Sequence, residues 1–317
     1  MRTILLIVGF LILFLEHFIQ PFSLQLQFIL FITGIVLLGI PHGAADLLIA
    51  TKNASGKKSF SQKKFHLNYV GRLAIFALLF WLFPITANLL FIVCAAFHFG
   101  ETDLIGFNTT RFSGKCFIIG YGIVILFVII LPHFDSLKPL FLLFKSATKS
   151  ELFIGFIDHY RYHLLTITSF IFLIITIWYA LTNPVNLTIF FTFIAEYTIL
   201  LFILYHLPMI LGFTFYFVLW HSVFSLKNIF RYLRKDGLIS GAAIAKQISF
   251  YSMISFIGFI VFGCMGFLFL NNNSLIAYVF LLLAVLTAPH MQVMHHMYNN
   301  IKLLRTNEHI NHTYEKI

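Results

Sequence analysis

Charge is scarce in this chain. Acidic and basic side chains together make up 10% of its 317 residues, against about a quarter in a soluble domain. So little charge cannot cover a water-facing surface with polar groups, which excludes a soluble globule and leaves lipid as the main solvent. Cysteine is scarce too. Cys94, Cys116 and Cys264 lie in or beside apolar segments without a CxxC pair, so neither a disulfide framework nor a zinc site can be read from them. No low-complexity tract, short-period repeat or Pro/Ser-rich linker interrupts the chain, and residues 1–317 read as a single polytopic domain. Neither a Ser-His-Asp set nor a carboxylate pair stands out. The net charge of +10 would suit a nucleic acid, but the basic residues sit between apolar runs, where topology explains them; no nucleic-acid partner is expected.

Apolar residues, by contrast, make up 60% of the chain, with 41 phenylalanines. A helix needs roughly 20 apolar residues to cross the hydrocarbon core. Ten segments qualify, at about 3–19, 22–42, 66–83, 85–105, 115–132, 162–181, 187–206, 209–230, 248–270 and 274–298. Pro84 in WLFPITAN separates the third from the fourth, and Gln20-Pro21 the first from the second; fused pairs would lower the count to eight. The first stretch, Thr3 to Phe18, lacks a small-residue cleavage site and reads as a retained helix rather than a signal peptide. The side holding the N-terminus and the connections after even-numbered spans carries 17 of the 21 Lys and Arg residues, the other side 4. The positive-inside rule then places both termini in the cytoplasm. The expected fold is an all-α, polytopic transmembrane helix bundle in the cell (inner or plasma) membrane.

Of the 14 histidines, several have plain settings. His309 and His312 lie in the polar tail, His133, His159 and His163 flank the expected external loop, His17 and His66 lie near interfaces, and His206 ends the seventh span beside Pro208. Four differ: His42 in IPHGAAD, His98 in AAFHFGETD, His221 in FVLWHSVFS and His290 in TAPHMQVMHH. They fall on spans 2, 4, 8 and 10, which all run the same way, each in the later part of its span. The imidazoles therefore reach a similar depth. One such histidine is ordinarily a hydrogen-bonding group between helices. Four at one depth point to a functional interior, since ionisable groups in lipid are costly, and a divalent transition metal is the simplest use for them. Imidazole suits iron, copper, zinc and nickel alike.

Nearby acids extend the set. Asp46, four residues beyond His42, shares its face if the helix continues past Gly43. Glu101 and Asp103 follow His98 by three and five positions. Each acid could accept a ligand's second ring N–H and fix its tautomer, or be solvated at the interface. Tyr216 and Trp220, just before His221, either line a substrate channel or pack. Gly39/Gly43 and Gly100/Gly106 read as places of close helix approach. Three other chemistries use similar residues. A membrane di-iron desaturase or hydroxylase needs several histidine boxes, of which His290, His295 and His296 form one near match. A proton-coupled transporter could use Asp46, Glu196 and the histidines as a relay, and a haem cytochrome could use paired axial histidines.

In order along the chain, GIPHGAAD, FHFGETD, FYFVLWHS and TAPHMQVMH resemble the motifs of the Brp/Blh (bacteriorhodopsin-related protein-like) family of membrane β-carotene 15,15′-dioxygenases, over about residues 34 to 300. The resemblance implies cleavage of the central 15,15′ double bond of β-carotene, or a related apolar polyene, with O2 to give two retinals, at a non-haem Fe(2+) held by histidines. Membrane lipid would be the substrate's solvent, and an opsin a recipient of retinal. Carried across, His42, His98 and His221 match ligand positions. The family's WHS motif commonly continues to a second histidine one turn on, where this chain has Ser225. Either His290 completes the set, with Ser225 beside it, or the ion is held more weakly, or the substrate differs.

Overall fold

In a computed structural model the backbone is described except at residues 55–59, 143–146, 236, 238, 270–274 and 315–317, and side chains also except at 139–142, 147–150, 262–269, 275–280 and 304–314. The described residues are helical apart from short connections, without a strand. Eleven helices follow in order: α1 Arg2–Ile19, α2 Leu24–Asn53, α3 Gln62–Leu82, α4 Pro84–Asp103, α5 Phe112–Ile130, α6 Phe134–Leu142, α7 Ala147–Thr182, α8 Leu187–His206, α9 Met209–Arg234, α10 Gly241–Phe269 and α11 Leu275–Tyr314. Nine of them, α1 to α5 and α7 to α10, are long and apolar enough among the described residues to cross a membrane. The tenth expected span, 274–298, falls on α11; residue 274 and the side chains of 275–280 lie outside the described residues. Large apolar side chains such as Leu67, Trp81 and Leu181 stand exposed on the outer faces, as a lipid-facing surface requires.

Local chemistry sets the breaks. Ser23, Ser61 and Asn186 accept the first free N–H groups of α2, α3 and α8, and Pro84 occupies the first turn of α4, where its missing N–H costs nothing. Gln20, in extended backbone, ends α1. The stretch expected as an external loop, 133–161, is instead largely helical. Lys138 bonds Asp135 at 2.6 Å and Asp158 at 2.7 Å, and Arg161 bonds Asp135 at 2.7 Å. The last two of these pairs, Lys138–Asp158 and Arg161–Asp135, join α6 to α7, where the helix runs on past its apolar part. Helix α2 likewise passes the expected end at His42 and continues to Asn53.

Two glycines bring α4 and α5 together. A Cβ at Gly100 would lie 2.2 Å from the Ile118 carbonyl oxygen, and one at Gly122 would lie 2.0 Å from that of Ala96. Only hydrogen fits at these crossings, as is common where membrane helices touch. Gly43 and Gly106, expected to serve the same purpose, have nothing within 4 Å of the Cβ position; Gly43 faces a cavity instead. The tight α4–α5 pair, with α8 and α9, buries Phe99, Phe117, Tyr121, Tyr197, Phe215 and Tyr216 in the main core, which fixes the depth of His98 and His221.

Candidate metal centre

Each of the four histidines of the expected set is carried by a different helix, and two of the four helices are wound irregularly nearby. In α2, residues Ile35–Gly39 form a turn of π-helix just before Pro41 and His42. Proline has no N–H for the carbonyl four residues earlier, so the ladder must loosen there. In α11, Pro289 immediately precedes His290 inside the helix. In α9, Thr214–Ser222 is π-helical and contains His221. Such wide turns are frequent at functional sites. Helix α4, with His98, is regular, and α11 stays α-helical through its proline.

The four rings meet in a closed circuit. Ring centroids lie 4.9 Å apart for His42–His290, 5.2 Å for His290–His98, 4.8 Å for His98–His221 and 5.5 Å for His221–His42. One ring nitrogen each from His42, His98 and His221 lies within 4.8 Å of the others. All four side chains are buried. Nδ1 of His42, both ring nitrogens of His98 and of His221, and Nε2 of His290 are buried without a hydrogen-bond partner. A buried polar atom left unpaired costs about 1–3 kcal/mol, so six in one cluster call for a shared ligand. An electron-pair acceptor answers that need. The donor set of imidazole nitrogens fits a divalent transition metal, iron among them.

The fourth histidine is oriented from behind. His290 Nδ1–H donates to Asp46 Oδ1 at 2.8 Å, and Tyr69 O–H donates to Asp46 Oδ2 at 3.0 Å. With Nδ1 so occupied, Nε2 is the nitrogen turned to the cluster. Asp46, just past a break in the helical winding at Ala45, thus touches His290 and not His42 on its own helix. Tyr69 escaped the sequence reading: a tyrosine near a span end ordinarily signals the membrane interface, and nothing local to it names Asp46.

The other two acids lie apart from the rings. Glu101 accepts His295 Nδ1–H at 2.9 Å and 3.0 Å and faces Lys302 Nζ at 3.6 Å. Asp103 Oδ2 accepts from Tyr121 at 2.7 Å and from Tyr216 and Trp220 at 3.1 Å each. Tyr216 and Trp220, read from sequence as either channel lining or packing, are both tied to Asp103, a tie that joins the π-helical part of α9 to the end of α4. Ser225 is fully buried one turn beyond His221. His296 is exposed, so the near-match box does not close, and no second group of three potential ligands gathers among the described residues.

A cavity of about 290 Å³ opens directly on the rings, lined by His42, His98 and His290 with Gly43, Phe217, Gly258 and Leu286 among its walls. Apart from the histidines, Tyr69, Ser255 and Thr287, those walls are apolar. Imidazoles at the head of such a pocket suit a hydrocarbon substrate better than a charged one.

A family model described as Beta-carotene 15,15'-dioxygenase matches residues 33–298, a stretch that includes all four histidines. Neither a curated protein nor a solved structure matches the chain.

Proposed function

The chain belongs to the β-carotene 15,15′-dioxygenase family, and from that premise we propose that it cleaves the central 15,15′ double bond of β-carotene or a related carotenoid with O2, giving two retinals, at a ferrous ion held by His42, His98, His221 and His290. The observation that carries this reading is the circuit of four buried rings, each with at least one nitrogen that lacks a hydrogen-bond partner, placed at the head of an apolar cavity. When bound, iron would supply the binding and activation of O2.

The chain's own groups do the rest. Asp46, steadied by Tyr69, accepts a hydrogen bond from His290 Nδ1–H, which keeps the proton on Nδ1 and leaves the Nε2 lone pair for the ion, a tautomer that a lone imidazole would not hold. Neutral imidazoles leave the ion its full charge. The cavity excludes water and holds the polyene through Phe217, Leu286 and the open space beside Gly43 and Gly258. An electron-rich alkene needs no general base. Substrate reaches the pocket from the bilayer, and retinal leaves into it, to an opsin where one is present. The absence of a histidine at 225 is met by His290, which arrives from α11 to close the circuit.

Expression in cells that accumulate β-carotene tests the reading. The cells should lose their orange colour as retinal appears, and the detergent-purified protein should hold one iron per chain. Persistent colour with folded, iron-loaded protein would rule out carotene cleavage; two irons per chain would favour di-iron chemistry.

A further inference from the structure

A second cavity, of about 440 Å³, opens at the end of the bundle that carries Arg2, between α1, α4, α8 and α9. Arg2, Lys227 and Arg231 line it, with Glu196 opposite and Phe193 and Phe224 on its apolar side. Both acids there have partners of their own. Glu196 pairs with Arg2 Nη1 at 3.4 Å, Arg2 Nη2 donates to the Asp103 carbonyl at 2.5 Å, and Asp103 Oδ2 takes three donors from Tyr121, Tyr216 and Trp220, while its Oδ1 is buried without a partner. Lys227 and Arg231 have no acidic partner among the described residues. They stand one helical turn apart on α9, where like charges repel. The start of α8, with Thr188 and Ile189 on the same cavity wall, adds the positive end of its helix dipole. Arg234 and Lys235 continue the basic face outward.

We propose that this cavity binds the phosphate group of an anionic phospholipid. Four membrane-crossing helices begin or end around it, so it lies at the depth of lipid headgroups, on the side to which the Lys/Arg count assigns the cytoplasm. Two unmatched cations would take the phosphate oxygens, and Phe193 and Phe224 would flank the glycerol and first acyl carbons. Basic recesses between membrane helices recognise anionic headgroups in this way. The site is separate from the histidine cavity and does not depend on what that cavity cleaves. It would nonetheless brace α4 and α9, the helices of His98 and His221.

The test uses full-length protein in neutral-lipid nanodiscs. Phosphatidylglycerol is titrated in, with phosphatidylcholine and millimolar inorganic phosphate as separate arms; retained lipid is read by native mass spectrometry and stability by Tm. Phosphatidylglycerol should be retained and raise Tm where phosphatidylcholine does not. Lys227→Gln with Arg231→Gln should weaken retention about thirtyfold, the about 2 kcal/mol of two interfacial cations. The charge-matched control Lys63→Gln with Lys246→Gln should leave retention unchanged. Equal stabilisation by inorganic phosphate alone would overturn the lipid as occupant. Unchanged retention in the double variant, or equal loss in the control, would overturn the site. If the double variant fails to fold, wild-type retention that does not discriminate phosphatidylglycerol from phosphatidylcholine overturns it equally.

Discussion

Truncating any of His42, His98 or His221 to alanine removes one corner of a buried circuit and leaves its neighbours facing a hole. Each variant should lose bound iron and retinal formation together, read by elemental analysis and by the retinal absorbance of extracts. His290→Ala distinguishes two sets: iron content falls if the fourth ring is a ligand and is unchanged if it is not. Ser225→His should not raise iron content if His290 already closes the circuit. Asp46→Asn keeps the shape but weakens the hold on the His290 tautomer, and should cost about 10–100-fold in metal affinity or activity. Tyr69→Phe, one contact further out, should move the same readouts in the same direction by less. At this scale the sequence was legible where spacing and span parity sufficed. The four histidines could be picked out because each interrupts a greasy run at a similar depth. The partners of Asp46 and Asp103 could not, because the hydrogen bonds to His290, Tyr121 and Tyr216 span 244, 18 and 113 residues, and no local pattern encodes them.

Between helices, backbone contact limits what can change. Gly100→Ala and Gly122→Ala would place a methyl group against the facing backbone, at 2.2 Å and 2.0 Å from carbonyl oxygens. Each should destabilise by about 1–3 kcal/mol or more and lower Tm, with iron lost in proportion because α4 carries His98. Gly258→Phe works in the opposite way. Nothing lies within 4 Å of its Cβ position and it lines the histidine cavity, so the variant should keep its iron and Tm while carotenoid turnover falls. The spans themselves were readable from hydropathy, and the Pro84 and Gln20-Pro21 breaks from backbone chemistry. The helical stretch within 133–161 was not, since its ion pairs join residues that individually look like loop.

For the whole molecule, metal and fold are coupled. The apo protein must keep several imidazole nitrogens buried without partners, a cost the bound ion lifts. Whatever binds the folded state alone stabilises it. Chelation in detergent should therefore lower Tm, and ferrous iron should restore it, in wild type but not in His98→Ala. The sensitivity should disappear if the rings are merely structural.

The wide turn at Ile35–Gly39 has one more consequence. A regular helix advances about 100° per residue, whereas a π turn takes up one residue more per circuit and so stores a residue of slack. Deleting Leu37 should discharge that slack and keep His42 in phase with its neighbours. Deleting Ile92, in the regular winding of α4, has none to draw on and should swing His98 out of the ring by about 100°. Comparing iron content in the two deletions would reveal whether the irregular winding is what lets a proline-broken helix aim its histidine.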